Sequence, residues 1–389
     1  MEPDNIKYSY ETLWKFIIRP PRDEYTEEDL GENHFIYHRK TYTRSDYSII
    51  SSQGYALKCS FIQPDPECRP REEMPVVIYL HGNSSSRLEG LRMAHILLKN
   101  DINLFIFDFA GSGNSEGEYI SLGYHEKDDI KTVIDFLERI PGVGKIGLWG
   151  RSMGAATTML YAHHDNRIKA ICMDSPFADF SKLAKELCLK HVSKIPNFLI
   201  DVAMSIVRST IKKKNGLDIY KLKPINCAEK TTIPAIFIHA LNDELIKLDH
   251  TTELCEKYGG EKSLYSCKGG HNSPRPRDIV DKIGTFFAKH LNNGNNDDYF
   301  LKDENLKESY YDNDKDIGHS QNFDVLNNVI NNINLEDLKN LKESYNVDDK
   351  DIGHSHSLDL STNDNSKIIL EDSGKEKEKI KENNDKKYL

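Results

Sequence analysis

The sequence predicts an α/β fold built on a mostly parallel, doubly wound sheet of about eight strands. Short and nearly continuous apolar segments alternate with longer segments of helical periodicity through most of the first 291 residues. Such apolar segments are typical of strands that are buried on both faces, and their alternation with helices favours parallel pairing. An alternating pattern near the N-terminus adds an antiparallel hairpin, and a helical insertion late in the sheet predicts a short helical cap.

The predicted elements follow in chain order. The hairpin runs from Thr41 to Ser48 and from Tyr55 to Gln63, where polar and apolar residues roughly alternate around a turn. The buried strands come next, at 76–80, 104–107, 146–149, 168–173 and 235–238. A shorter last strand is predicted at 264–266. The helical patterns lie at about 87–99, 123–139, 153–164, 247–258 and 278–290.

Two segments outside this alternation are also predicted to be helical. Between about 177 and 224, apolar residues such as Leu183 and Ile206 recur at helical spacing without an intervening strand. This segment is the predicted cap, and its apolar residues either line an acyl pocket or pack on the body. In the N-terminal extension, residues 1–35, Trp14 and Ile18 favour a short helix that packs on the body rather than on a membrane surface.

The end of the chain differs in composition from the rest. Residues 292–389 contain 23 acidic and 13 basic side chains, and their net charge of −10 equals that of the whole chain. They carry two copies of a 15-residue sequence, 306–320 and 341–355, which are identical at 12 positions. Neither copy has enough apolar residues to close a core, so we predict a disordered acidic tail after a folded domain at 36–291.

Composition restricts the classes of function. A body without net charge argues against nucleic acid binding, which requires a basic surface. The seven cysteines form no C-x-x-C pair, which predicts reduced thiols and no zinc site. No apolar segment approaches the roughly 20 residues of a membrane span, and no signal peptide is recognisable. We therefore expect a cytoplasmic protein with at most peripheral membrane contact.

The sequence Gly150-Arg151-Ser152-Met153-Gly154 lies between a predicted strand and an alanine-rich helix. A strand-to-helix turn with serine at its apex needs glycines two positions before and after it, because the turn leaves no room for Cβ atoms. The pentapeptide alone is common by chance, but this context makes it specific. Ser152 is the candidate nucleophile.

A serine hydroxyl needs a base to accept its proton, and a histidine base needs a carboxylate to fix its tautomer. Asp243 follows the strand at 235–238, where open α/β sheets place their sites. Its neighbour Glu244, and Asp174 directly after another strand, are the alternatives. His271, in the loop after the last strand and preceded by two glycines, is the candidate base.

Hydrogen-bond donors for the oxyanion are also required. The backbone N–H of Met153 is one candidate, and that of Asn83, in the loop after the strand at 76–80, is the other. A G-x-G-x-x-G match at 142–147 precedes a strand instead of following one, so it does not predict a dinucleotide site. The sequence indicates no cofactor and no metal ligands.

Several segments resemble the α/β-hydrolase superfamily, namely His81-Gly82-Asn83, Gly150–Gly154, Asp243 and Gly270-His271-Asn272. The closer resemblance is to cytosolic eukaryotic members of the serine aminopeptidase-like or esterase/lipase-like type, to which 18–22, 108–113 and 121–129 are also similar. It covers roughly residues 10–290 and implies an α/β-hydrolase fold. Related acyl-protein thioesterases carry an N-terminal cysteine cluster for lipidation, whereas the first cysteine here is Cys59.

Taken together, these features predict a serine hydrolase that cleaves carboxylic esters or thioesters of acyl or lipid type through an acyl-enzyme. One alternative is an aminopeptidase-like amide hydrolase, which would need acidic residues to bind a free amine. The other is a non-catalytic scaffold that acts through the repeated tail. The expected partner is a small-molecule or acyl-chain ester, and the sequence identifies no protein partner for the tail.

Overall fold

The computed structural model describes residue 11, residues 14–191 and residues 197–292. The predicted disordered tail at 292–389, with both repeat copies, lies outside these residues except for its first residue. Within the described ranges, nine strands form one sheet. They are β1 (His34–Tyr37), β2 (Lys40–Ile50), β3 (Ala56–Pro64), β4 (Met74–Leu80), β5 (Asn103–Phe107), β6 (Val143–Arg151), β7 (Ile168–Asp174), β8 (Ala235–Ala240) and β9 (Lys262–Cys267).

Helices lie between the strands of the parallel part of the sheet and after its last strand. In the described residues they are α1 (Arg87–Leu91), α2 (Ala94–Leu98), α3 (Glu126–Leu137), α4 (Met153–Tyr161), α5 (Phe180–His191), α6 (Asn197–Asn215), α7 (Ile225–Ala228), α8 (Leu248–Lys257) and α9 (Arg277–Leu291). None of the helices in this part of the chain is both long enough and apolar enough to cross a membrane.

The strand order in the sheet is β1-β2-β3-β5-β4-β6-β7-β8-β9. The pairs β1–β2, β2–β3 and β3–β5 are antiparallel, and every pair from β5 to β9 is parallel. The predicted mostly parallel sheet with its N-terminal hairpin is therefore confirmed. The structure adds β1 to the predicted strands, a four-residue edge strand whose side chains are exposed or half-buried.

The hydrophobic core lies in two layers, one on each face of the sheet. Successive residues of β4 alternate between them, since Val76 and Ile78 belong to one apolar cluster and Val77 and Tyr79 to the other. Helices α3 to α6 contribute to the first cluster, and α2 and α9 contribute to the second. Burial on both faces is the reason that these strands read as continuous apolar segments.

One helical prediction differs from the structure, and the predicted cap is helical. The pattern at 87–99 predicts one helix but forms two short ones, α1 and α2, with Gly90 near the end of the first. Glycine weakens a helix, and here it allows close packing, since a Cβ on Gly90 would lie only 2.6 Å from a methyl of Ile106. The cap segment forms α5 and α6, and Leu183 and Ile206 are buried in the first cluster.

The described part of the N-terminal extension packs on the body. Residues 14–18 are helical, and the side chains of Trp14 and Ile18 are buried in the first cluster. The carbonyl of Ile18 accepts a hydrogen bond from the N–H of Ile120, at 2.8 Å. The exposed side chain of Lys214, near the end of α6, lies 4.3 Å from the centre of the Trp14 ring.

Candidate active site

Ser152 lies at the apex of a strained turn between β6 and α4. Its backbone has φ 52° and ψ −114°, a conformation that non-glycine residues rarely adopt. A Cβ on Gly150 would overlap the carbonyl of Gly154, and a Cβ on Gly154 would overlap that of Leu80. The Ser152 N–H donates to the Asp174 carbonyl at 2.8 Å, so contacts with both neighbouring strands hold the turn.

The structure brings Ser152, His271 and Asp243 into one hydrogen-bonded chain. The Ser152 Oγ lies 3.0 Å from His271 Nε2, and His271 Nδ1 lies 2.6 Å from Asp243 Oδ2. The other carboxylate oxygen of Asp243 accepts the N–H groups of Leu245 and Ile246 at 2.9 and 2.8 Å. Both Asp243 and His271 have almost no exposed side-chain surface, 1% and 5%.

The charge state of Asp243 determines the tautomer of His271. Burial by itself would raise the pKa of Asp243, but the bond to His271, the N–H of Ile246 and the nearby His239 hold that pKa below its ordinary value. An ionised carboxylate only accepts hydrogen bonds. His271 Nδ1 therefore carries a proton, and Nε2 is left as the acceptor for the serine hydroxyl.

The two alternative acids have other partners. Asp174 forms a bidentate ion pair with Arg275, with both nitrogen–oxygen distances at 2.8 Å. Glu244 accepts the backbone N–H of His271 at 3.1 Å instead of bonding to its ring. Asp243 is therefore the carboxylate that contacts the imidazole. Glu244 directly, and Asp174 through Arg275, support the loop that carries His271.

The loop after β4 lies beside the serine turn, because Leu80 pairs with Gly150 in the sheet. The Cβ position of Gly82 is 3.7 Å from the Ser152 Cβ. His81 Nε2 accepts the N–H of Phe109 at 3.1 Å, so its Nδ1–H donates to the carbonyl of Gly82 at 2.7 Å. This bond orients the peptide group that carries the Asn83 N–H. Within the described part of the chain, neither this N–H nor that of Met153 has a hydrogen-bond acceptor.

Sequence reasoning missed a group of charged residues around this site. Arg151, directly before the nucleophile, contacts Glu89 of α1 at 3.0 Å and the carbonyl of His271 at 2.8 Å. Arg275 reaches the same carbonyl at 3.3 Å. Nothing in the sequence links Arg151 to a glutamate 62 positions earlier, because the pair forms only when β4 and β6 lie side by side.

In this sheet the serine turn follows a central parallel strand, and the acid and the histidine follow later strands. This is the arrangement of the α/β-hydrolase fold. Comparison with solved structures agrees with this. An esterase of Pyrococcus furiosus, Pf2001, matches 71% of this chain over 98% of its own length, with a TM-score of 0.54 and 24% identity.

Sequence comparisons identify a family model and several related proteins. The family model described as serine aminopeptidase, S33, matches residues 71–218. The uncharacterized protein YqkD of Bacillus subtilis is 27% identical over 263 residues, which are 66% of this chain and 83% of YqkD. The lysophosphatidylserine lipase ABHD12 of Xenopus tropicalis is 26% identical over 179 residues, which are 44% of either chain. Fold and sequence together show that the protein is a member of the α/β-hydrolase superfamily.

Proposed function

We propose that this protein is a serine hydrolase that cleaves carboxylic esters or thioesters of acyl or lipid type. The observation that carries the proposal is the continuous chain from the Ser152 hydroxyl through His271 to Asp243, at 3.0 and 2.6 Å. A serine, a histidine and an ionised acid in this order are the parts needed to activate a hydroxyl near neutral pH. No cofactor is required for this chemistry.

In the first half-reaction the substrate acylates Ser152. His271 Nε2 takes the hydroxyl proton while Oγ bonds to the carbonyl carbon, and the N–H groups of Asn83 and Met153 stabilise the negative oxygen that forms. The bond from that carbon to the leaving oxygen or sulfur then breaks. The leaving group departs with the proton from His271, and Asp243 stabilises the imidazolium between the two transfers.

In the second half-reaction water releases the acid. His271 removes a proton from a water molecule, whose oxygen attacks the acyl carbon. The ester bond to Ser152 breaks, Oγ recovers its proton from His271, and the carboxylic acid leaves. The enzyme returns to its starting state with one water consumed.

The lipid-type substrate is supported by the similarity to a lysophosphatidylserine lipase. An aminopeptidase-like amide hydrolase is the second candidate, and the description of the matching family model favours it. A free amino group would need a carboxylate near Ser152 to bind it. Arginines already pair with the buried acids there, Glu89 and Asp174, which favours the ester or thioester substrate.

Labelling with a fluorophosphonate probe tests whether Ser152 is a nucleophile. The wild-type protein should be labelled, Ser152→Ala should not, and Ser48→Ala, which changes an exposed serine of β2, should be labelled like the wild type. Absence of labelling in the wild type, or equal labelling of Ser152→Ala, would contradict the proposal and favour a non-catalytic scaffold.

A substrate series then identifies the bond that is cleaved. We expect hydrolysis of p-nitrophenyl esters and acyl-thioesters of increasing chain length, and little hydrolysis of amino-acid p-nitroanilides. Faster cleavage of the anilides than of the esters would favour the aminopeptidase instead. Ser152→Ala in the same series corrects for background hydrolysis.

A further inference from the structure

We infer that Arg151 and Glu89 act as a positioning pair, which holds the base and the oxyanion loop at the distances that the reaction requires. This inference rests on the proposed function, because it assigns roles relative to Ser152 and His271. Neither residue touches the reacting atoms. Each acts through backbone groups of the residues that do.

The pair is largely buried, and both of its members make several hydrogen bonds. The Glu89 side chain is 6% exposed and that of Arg151 is 19% exposed. Glu89 Oε1 accepts the Tyr79 hydroxyl at 2.9 Å and Arg151 Nη1 at 3.0 Å. Burial would raise the pKa of Glu89, but Arg151 and the N–H of Gly82 contribute to lowering it to about 2, so the carboxylate is ionised.

Glu89 fixes the oxyanion loop. Its second oxygen accepts the N–H of Gly82 at 3.1 Å, and the His81 ring holds the Gly82 carbonyl from the other side at 2.7 Å. Both peptide groups that flank Gly82 are therefore bonded. The second of them carries the N–H of Asn83, so Glu89 helps to set the direction of that donor.

Arg151 fixes the histidine loop. Its Nη2 donates to the carbonyl of His271 at 2.8 Å and to the side-chain oxygen of Asn272 at 2.9 Å. The guanidinium fork can reach Glu89 with one nitrogen and the loop with the other because it is planar and carries several donors. A lysine ammonium presents no such fork.

One ion pair thus connects three segments that are far apart in the chain. They are the loop after β4, the serine turn after β6 and the loop after β9. A misplacement of about 1 Å in reacting groups can cost on the order of 100-fold in rate. Loss of the pair is therefore expected to lower kcat more than it raises KM, since the binding of a small ester does not use these contacts.

Arg167 provides a matched control. It forms a comparable ion pair with Asp165, at 2.6 Å and with similar exposure of the arginine. Arg167 directly precedes β7, so this pair lies at the start of the strand. The serine turn and the end of β7 lie at the opposite edge of the sheet. Arg167→Met is expected to lower Tm and to leave kcat within twofold of the wild type.

The test compares Arg151→Met, Arg151→Lys, Glu89→Gln and the control in hydrolysis of p-nitrophenyl acetate, with Tm measured for each protein. We expect kcat to fall about 100-fold in Arg151→Met and Glu89→Gln, with KM within threefold. Arg151→Lys keeps the charge and most of the packing, so it should fold like the wild type and lose about tenfold in kcat. If Arg151→Lys and Glu89→Gln both keep kcat within twofold, the inference is overturned.

A second measurement does not depend on catalysis. The proton shared by His271 and Asp243 should give a low-field proton NMR signal in the wild type and in Arg167→Met. It should broaden or disappear in Arg151→Lys if the histidine loop has lost its support, and an unchanged signal would count against the inference. If Ser152→Ala hydrolyses the ester like the wild type, the proposed function fails, and the NMR comparison alone decides the positioning role.

Discussion

Replacing Asp243 by asparagine tests the proposed mechanism most directly, because the structure determines how the new amide must lie. In one orientation the amide oxygen accepts the N–H groups of Leu245 and Ile246, and its nitrogen faces His271 Nδ1. In the other orientation the nitrogen faces both backbone N–H groups, which leaves two buried donors without acceptors. Each unsatisfied group costs about 1–3 kcal/mol. The second orientation would lose both of these bonds and keep only the bond to His271. The first orientation is therefore expected.

In that orientation the amide donates to His271 Nδ1 and forces the proton onto Nε2. The imidazole then cannot accept the proton of Ser152. The loss expected from a wrong tautomer is on the order of 10⁴-fold in kcat, or about 5 kcal/mol of transition-state free energy. Because both backbone bonds remain, Tm should stay near that of the wild type.

The assay is hydrolysis of a p-nitrophenyl ester, with the rate of fluorophosphonate labelling as a second readout. Glu244→Gln is the matched control, since it makes the same chemical change one residue away and its amide oxygen can still accept the His271 N–H. We expect this control to stay within a few-fold of wild-type kcat. Retention of more than a tenth of the activity in Asp243→Asn, or an equal loss in Glu244→Gln, would refute the reasoning.

Three further changes test other parts of the structure. A Cβ on Gly154 would overlap the carbonyl of Leu80, so Gly154→Ala should lower both Tm and labelling, whereas Gly144→Ala, whose nearest neighbour is at 3.4 Å, should lower neither. Burial raises the pKa of Asp129 to about 8, so the folded protein keeps a proton that the unfolded chain releases near pH 4. Stability should therefore fall as pH rises, by about 3 kcal/mol between pH 5 and 7, and urea unfolding of Asp129→Asn should lack this part of the decline. Removal of residues 293–389 should leave esterase activity largely intact, and its loss would show that the tail takes part in the reaction.

Much of the fold could be predicted from local patterns. The strand predicted at 76–80 corresponds to β4 (Met74–Leu80), and the helix predicted at 278–290 corresponds to α9 (Arg277–Leu291). Both predictions worked because burial leaves a mark on the sequence itself: a strand buried on both faces is continuously apolar, and a helix buried on one face has apolar residues at helical spacing. The edge strand β1 carries no such pattern, since its side chains are only half-buried or exposed.

The sequence by itself determined the serine turn and the chain order of the residues around it. The glycines at 150 and 154 follow from the local geometry of a tight turn, and this geometry involves only neighbouring residues. Placement after strand ends also restricted the acid to three carboxylates, Asp174, Asp243 and Glu244.

Only the tertiary structure decided which of these carboxylates reaches the imidazole and what the others do. Asp174 pairs with Arg275, which is 101 positions away, and Arg151 bridges Glu89 to the loop of His271. Such contacts depend on the strand order, which places β4 beside β6 and β6 beside β7. A charged side chain carries no local sign of its partner, because attraction in a buried site acts through space after the sheet has brought distant segments together.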